Sequence, residues 1–223
     1  MKLADYNEVV TTWPAEGRHI LASHDEDSVV VYQAYRPAIG RYAAENQRLG
    51  GDFSFSRMSW IKPNFLWMMY RSGWGTKEGQ EITLAVTIPR SFFDEMLAAA
   101  VVSSFDSTRY RDTDQWKADL ERSEVRLQWD PDHAPDGTSQ KRRAIQLGLR
   151  GEMLRRYAER ELIRIEDISD FVAAQRTRVS AGNHGLSIPF ETVYRPGRED
   201  AAANVGLDLF DYGCPPVSLT IPI

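Results

Sequence analysis

One stretch of the sequence decides which fold and function we expect: residues 57–74, RMSWIKPNFLWMMYRSGW. Pro63 suits the first turn of a helix that runs to about Arg71, and Gly73 ends that helix. The side chains in between are mostly large and apolar. The stretch therefore predicts a helix that buries one face and begins beside a lysine.

Aromatic and basic residues are concentrated around this helix. Seven aromatic residues lie between Phe53 and Trp74, including half of the six tryptophans. No Asp or Glu occurs from Phe53 to Lys77, and the segment contains four basic residues: Arg57, Lys62, Arg71 and Lys77. A segment of charge +4 thus lies in a chain of net charge -5. Rings stack on nucleobases and cations bind phosphates, so the segment predicts a pocket for a nucleotide-like ligand.

A second interpretation of the same residues is a buried core helix without a ligand. It predicts that Trp60, Trp67 and Trp74 are all buried, and that Lys62 and Arg71 pair with acids. Both interpretations can hold at once if different residues serve each.

The composition is that of an ordinary globular protein. The chain has 223 residues, which allows one large domain, and we expect a single domain over residues 1–223. No long apolar run and no apolar amino-terminal segment occurs, so a cytoplasmic chain with no membrane partner is expected. The single cysteine, Cys214, excludes an internal disulfide, and four scattered histidines give no metal site.

The rest of the sequence mixes strands and helices without a regular βαβ rhythm. Strands are predicted at residues 28–35, 53–61, 81–88, 124–129, 144–149, 191–194 and 217–221. Helices are predicted at residues 38–49, 63–71, 89–100, 114–122, 151–163 and 168–179. Residues 130–139 are predicted to be a loop rich in Pro, Asp and Gly. The pattern favours an α+β fold, with mixed or antiparallel split sheets flanked by helices.

A carboxylate stands at the start of one predicted strand, in the segment Gly79-Gln80-Glu81. Beside a cationic, aromatic pocket, Glu81 would be placed to polarise a substrate hydroxyl or to stabilise a cationic transition state. The alternative is an exposed side chain at a strand end.

Several segments of the chain resemble a family catalogued as domain of unknown function 4291. They are residues 32–37 (YQAYRP), 57–74, Lys77, Gln80, 125–131 (VRLQWDP), 143–149 (RAIQLGL) and 191–194 (ETVY). The resemblance covers nearly the whole chain. Asn64 stands where a serine is usual in this family.

The family is in turn distantly similar to the ADP-ribosyltransferases, which split NAD and pass ADP-ribose to a protein or nucleic acid. This resemblance implies an ADP-ribosyltransferase-like fold, NAD as a substrate, no metal, and an acceptor that is a protein or a nucleic acid. In that superfamily an early strand carries a His or Arg that holds NAD, aromatic residues cradle the nicotinamide, and a late Glu stabilises the transition state.

Carried over to this sequence, the resemblance implies a set of site residues. Gln33 occupies the place of the His or Arg, with Arg36 close by to supply a charge. Glu191 is the first choice for the catalytic carboxylate and Glu81 the second. The residues implied to bind NAD are Tyr32, Gln33, Tyr35, Arg36, Trp60, Lys62, Asn64, Trp67, Tyr70, Arg71 and Trp74.

Two other functions fit the same residues. One is a protein that binds a nucleotide or single-stranded nucleic acid without transferase activity, which predicts an open groove and salt-sensitive affinity. The other is a structural protein in which the segment is only core. A closed pocket of nucleotide size would favour the enzyme, and a continuous groove the nucleic-acid binder.

Overall fold

Twelve strands and eight α-helices alternate along residues 1–208, which the computed structural model describes. The strands are β1 (Leu3–Asp5), β2 (Gly17–Arg18), β3 (Ile20–Ala22), β4 (Ser28–Tyr35), β5 (Ser59–Ile61), β6 (Ile82–Pro89), β7 (Val101–Val102), β8 (Val125–His133), β9 (Ser139–Leu149), β10 (Arg164–Asp167), β11 (Ser187–Pro189) and β12 (Thr192–Tyr194). The helices are α1 (Tyr6–Val9), α2 (Pro37–Asn46), α3 (Phe65–Ser72), α4 (Arg90–Ala99), α5 (Thr113–Arg122), α6 (Gly151–Glu159), α7 (Ser169–Ser180) and α8 (Glu199–Val205), with a 3-10 turn at Val10–Thr12. The fold is α+β, as predicted.

The first sheet consists of three antiparallel strands in the order β10-β6-β4. Its strands are rich in β-branched residues, which pack well on a pleated surface. Both faces are covered. Val29 and Val31 of β4 lie in one core, and Tyr32 lies in a second core on the opposite face. Because successive side chains point to opposite faces, Gln33 and Tyr35 lie on the same face as Val31.

A second sheet has the order β2-β9-β8-β7, and β5 pairs with the far end of β9. The residue after β5, Lys62, exchanges backbone hydrogen bonds with Tyr32 of β4, with N–O distances of 2.7 and 3.2 Å. Lys62 therefore stands where the two sheets meet. Its position is fixed by main-chain bonds on both sides of the junction.

Helix α3 follows directly and is fixed at both ends. The Asn64 side chain accepts a hydrogen bond from the Trp67 N–H at 2.6 Å, which satisfies one free N–H of the first turn. Gly73 ends the helix in the left-handed conformation with φ 57°, where glycine has no steric penalty. The Lys77 ammonium donates to the carbonyls of Tyr70 and Arg71 at the same end. Four of the eight α3 residues, Phe65, Leu66, Met68 and Met69, belong to the second core.

Most predicted elements are confirmed within a few residues. These are the strands at 28–35, 81–88, 144–149 and 191–194, and the helices at 63–71, 89–100, 114–122 and 168–179. Pro63 stands one residue before the N-cap Asn64 rather than inside the first turn. The predicted strand 217–221 and Cys214 lie outside the described residues.

The predicted loop at 130–139 is wrong at both ends. Strand β8 continues to His133 and β9 begins at Ser139, which leaves only a short turn between them. Pro131 lies within β8, where its missing N–H would weaken a central strand. It is tolerated because β7 pairs with β8 only as far as Leu127, so no strand of residues 1–208 lies beside Pro131 on that edge of β8.

Three other boundaries differ from the prediction. Helix α2 ends at Asn46 because Gln47 is left-handed, with φ 53°, and its amide bonds both the N–H and the carbonyl of Ile165. Residues 53–58 form turns, so only Ser59–Ile61 pairs as a strand. Helix α6 ends at Glu159. None of the helices in the described part of the chain is long and apolar enough to cross a membrane.

Candidate functional site

A cleft of about 640 Å³ opens where β4 ends, beside β5 and the C-terminal half of α3. Its volume lies in the range of roughly 300–1,000 Å³ that is usual for small-molecule sites. The lining residues come from five segments: Gln33–Arg36 with Ile39, residues 52–54, Arg57–Trp60 with Lys62, Met68 with Arg71, and Gly79–Gln80. The cleft thus collects residues from both sheets and from the segment that the sequence analysis singled out.

Positive charge dominates this cleft. Arg57, Lys62 and Arg71 all line it. Among the described residues, none of the three has an acidic side chain within ion-pair distance. Arg36, a fourth cation in the wall, pairs with Asp52 at 3.0 Å on the exposed rim. The prediction of pairing with acids, made for a purely structural segment, is therefore wrong within residues 1–208.

Lys62 is the most unusual of these cations because its side chain is only 6% exposed. The pKa of the Lys62 ammonium is lowered to about 8, mainly by burial and also by the neighbouring Arg71, while Asp130 opposes the shift. A buried ammonium without a counter-ion is costly. An anion in the cleft would offset that cost.

A network of hydrogen bonds fixes the polar floor of the cleft. The Gln33 amide donates to Ser59 Oγ at 2.9 Å and accepts from the Tyr157 hydroxyl at 2.8 Å. The Tyr35 hydroxyl bonds the same Ser59 oxygen at 2.8 Å. Gln33 is 2% exposed, so its amide is held in one orientation before any ligand arrives.

A second cavity, of about 400 Å³, adjoins the first and shares Trp60, Lys62 and Arg71 with it. The other residues around it are Trp67, Gln128, Asp130 and Gln146. The Asp130 carboxylate accepts from the side-chain amides of Gln128 at 2.9 Å and Gln146 at 2.7 Å. The carboxylate therefore has a fixed orientation on the outer face of the second sheet.

No role for these three polar residues is predicted from the sequence. Asp130 was placed in a loop, and no role was given to Gln128 or Gln146. Their signal is the alternation along β8, in which Val125 and Leu127 are buried while Gln128 and Asp130 point to the other face. Strand pairing then sets Gln146 of β9 directly opposite Gln128.

Trp60 lines both cavities. It packs over Gly148 of β9, which is paired with Trp60 across the strands. A Cβ at position 148 would lie 3.0 Å from the indole and 2.6 Å from the Met58 sulfur. Glycine at this position lets the ring lie against the sheet, and Trp60 remains half-exposed to both cavities.

Eleven residues were expected to bind NAD, and the structure distributes them over several places. Gln33, Tyr35, Arg36, Trp60, Lys62 and Arg71 line the first cleft, and Trp67 lines the second cavity. The remaining four, Tyr32, Asn64, Tyr70 and Trp74, line neither of these cavities.

These four have contacts elsewhere. Tyr32 is fully buried and meets Phe65 edge-on in the second core. Trp74 is 8% exposed, and its indole N–H donates to the Pro135 carbonyl. Tyr70 is exposed and stacks on His133 at 3.5 Å between ring centroids. Asn64 is the N-cap of α3.

Glu191 lies outside both cavities, on the other side of the α3 start. It is fully buried, accepts from the Phe65 N–H at 2.7 Å, and accepts from the Asn64 amide at 3.2 Å. Burial raises the pKa of the Glu191 carboxyl well above its usual value. This geometry gives Glu191 a role in holding the helix start rather than in contacting a ligand in the cleft.

Glu81 directly follows two residues that line the first cleft, and does not line it itself. Its neighbours Gly79 and Gln80 line the cleft, and its Oε1 accepts from the Gly79 N–H at 2.8 Å. The second oxygen, Oε2, is buried and has no hydrogen-bond partner among the described residues. Of the two carboxylates expected to be catalytic, Glu81 is the nearer to the cleft-lining residues along the chain.

Comparison with protein families identifies the family of this chain. The family described as a domain of unknown function, DUF4291, matches residues 19–194. The chain belongs to this family. The DUF4291 match includes every residue that lines the two cavities. A comparison with curated proteins finds no match.

Proposed function

We propose that the first cleft binds a phosphorylated nucleotide. The observation that supports this most directly is the set of three cations, Arg57, Lys62 and Arg71, that face the cleft without an acidic partner among the described residues. Phosphate oxygens form strong charge-assisted hydrogen bonds with such groups. Trp60 adds a half-exposed ring on which a base or a nicotinamide ring can stack.

The nucleotide we propose is NAD, and the reaction is transfer of its ADP-ribose to a protein or nucleic-acid acceptor. The resemblance inferred from the sequence motivates this choice, and the proposal includes an ADP-ribosyltransferase-like arrangement of the α+β fold. Arg57, Lys62 and Arg71 would hold the pyrophosphate, and Gln33 would present its fixed amide to the ligand. The cleft volume of about 640 Å³ suits a ligand of this class.

Departure of nicotinamide leaves a ribose with oxocarbenium character, so a nearby carboxylate would stabilise the transition state. We assign this role to Glu81, which directly follows two cleft-lining residues. Its unpartnered Oε2 would be the atom that faces the developing positive charge after a small movement of the side chain. Glu191 is not proposed for it, because both of its oxygens already bond the α3 start.

Binding is tested by titrating the chain with NAD and with ADP-ribose and following tryptophan fluorescence or heat. Lys62→Met and Arg71→Gln should each weaken both ligands by about tenfold or more, since each removes a charge-assisted contact. Arg41→Gln is the matched control, because Arg41 is exposed on α2 and lines neither cavity. Undetectable binding, or equal affinity in all four proteins, would contradict the proposal.

Transfer is tested separately with NAD labelled in its adenine half and a panel of protein, DNA and RNA acceptors. Glu81→Gln should abolish nicotinamide release while leaving the affinity for ADP-ribose within about twofold. Tight binding of NAD with neither release nor transfer by the unmodified chain would limit the function to nucleotide binding.

A second candidate function is binding of single-stranded nucleic acid. It is favoured by the continuity of the two cavities through Trp60, Lys62 and Arg71, which makes a surface longer than one nucleotide pocket. Its signature is an affinity for oligonucleotides that falls steeply between about 50 and 200 mM salt. An affinity that salt does not change would exclude this function.

A further inference from the structure

The second cavity has a different chemistry from the cationic cleft. It brings a carboxylate, two amides and two tryptophans together with two cations, Lys62 and Arg71. A site that only held phosphates would gain nothing from Asp130, whose charge repels them. The arrangement instead suits a planar ring that has both donors and acceptors on one edge.

The orientation of Asp130 is set by its neighbours on the sheet. Gln128 and Gln146 lie opposite each other on the two strands. The Gln128 amide donates a hydrogen bond to one Asp130 oxygen, and the Gln146 amide donates to the other. Each carboxylate oxygen has a further lone pair, so both can accept again. The residue opposite Asp130 on β9 is Ala144, which carries no polar side-chain group that could compete for the carboxylate.

Lys62 lies close enough to Asp130 for the two charges to interact, but the two do not form an ion pair in the described residues. The cavity thus presents the Lys62 ammonium and the Arg71 guanidinium as donors and the two carboxylate oxygens of Asp130 as acceptors. A guanine base has the complementary edge: the O6 acceptor, the N1–H donor and the N2 amino donor. Adenine has an acceptor at N1, which would face the carboxylate lone pairs.

We propose that the second cavity binds a guanine base, with Asp130 accepting from N1–H and the N2 amino group, Lys62 donating to O6, and Trp60 stacking on the ring. This proposal depends on the proposed function in one respect: the phosphates of the guanine ligand would lie in the cationic cleft. The guanine can belong to a free nucleotide or to a single strand, since both carry the same edge.

The first experiment compares GMP, IMP and AMP by equilibrium titration of the unmodified chain. GMP should bind at least about tenfold tighter than AMP, because a good bidentate contact discriminates between bases to that extent. IMP keeps O6 and N1–H but lacks the N2 amino group, so its affinity should lie between the two. Equal affinities for GMP and AMP would overturn the proposal.

The second experiment uses Asp130→Asn, with Asp136→Asn as the matched control in the exposed turn between β8 and β9. Asp130→Asn should lose at least tenfold in GMP affinity and leave AMP affinity within about twofold, whereas the control should change neither. The melting temperature of each variant checks folding. If Asp130→Asn does not fold, the comparison of GMP, IMP and AMP on the unmodified chain still decides.

Two further arms separate this proposal from the proposed function and identify the source of the guanine. If GMP and AMP bind equally and Lys62→Met weakens both, the cleft binds nucleotides but the guanine site is wrong. If neither nucleotide binds, and a thymidine oligonucleotide with one central guanine binds no better than one with a central adenine, both ideas fail. A preference seen only with the guanine oligonucleotide identifies a single strand as the ligand.

Discussion

Two buried ionisable side chains flank the start of α3, and they differ in what surrounds them. Glu191 accepts hydrogen bonds from the Phe65 N–H and the Asn64 amide, and it is fully enclosed. Lys62 is almost as buried, yet its ammonium faces a cleft and has no side-chain partner among the described residues. A buried polar group with partners serves the fold. One without partners that opens onto a cavity is the stronger candidate for a ligand contact.

The largest effect on stability is expected at Glu191. Glu191→Ala leaves the Phe65 N–H and the Asn64 amide unsatisfied and opens a cavity, so it should lower the free energy of unfolding by about 3 kcal/mol. Urea denaturation measures this change. Glu191→Gln keeps an acceptor for Phe65 and should lose much less. A Glu191→Gln variant of unchanged stability that no longer releases nicotinamide would show instead that Glu191 is catalytic.

The second largest effect on stability is expected at Lys62, where substitution should raise the free energy of unfolding. Lys62→Met should raise the free energy of unfolding by roughly 2 kcal/mol at pH 7 while removing nucleotide affinity, because the folded state no longer holds a desolvated ammonium. Lys117→Met, on the exposed face of α5, is the control and should leave both quantities unchanged. Loss of stability in Lys62→Met would mean that Lys62 is held by contacts like those of Glu191.

The pH dependence of this gain follows from the lowered pKa of Lys62. The folded chain releases the proton near pH 8, whereas the unfolded chain keeps it until about 10.5. The penalty on the folded state is therefore complete below pH 8 and fades as the pH rises from 8 to 10.5. Denaturation of both proteins at several pH values should show the stability of the unmodified chain approaching that of Lys62→Met across this interval.

The smallest effect separates two cations at the other end of α3. Lys77→Ala removes the ammonium that bonds the Tyr70 and Arg71 carbonyls, and should cost about half a kcal/mol of stability without changing NAD affinity. Arg71→Ala should do the reverse, since Arg71 lines both cavities. Thermal melts and NAD titrations of the two variants test this pair. If Lys77→Ala and Arg71→Ala lost equal NAD affinity, the positive charges of the segment would act on the ligand together and not through individual contacts.

The sequence was most informative where local rules apply. The strand at 28–35 and the end of α3 at Gly73 follow from β-branched residues and a glycine at a helix terminus. The cleft-lining cations could be picked out because Arg57, Lys62 and Arg71 lie in one segment free of acids. Trp60, which lines both cavities, belongs to the same segment.

The rest depends on contacts between distant parts of the chain. Glu191 meets Phe65 across 126 residues, and no spacing in the sequence distinguishes that contact from a catalytic position. The position of Asp130 in a strand could not be predicted, because the following Pro131 is typical of a loop. Proline fits in this strand because the neighbouring strand β7 ends at Val102. The local signal also could not separate Lys77, which caps α3, from the three cations that line the cleft.

The double anchoring of α3 has a consequence for the thermodynamics of binding. Asn64 and Glu191 hold its first turn, and Gly73 and Lys77 hold its last, so the helix that carries Arg71 and Trp67 is already ordered without a ligand. Little backbone entropy then remains to be lost when a ligand arrives. The free energy of each new contact should therefore contribute almost fully to the affinity. Calorimetry should show only a small unfavourable conformational entropy of binding.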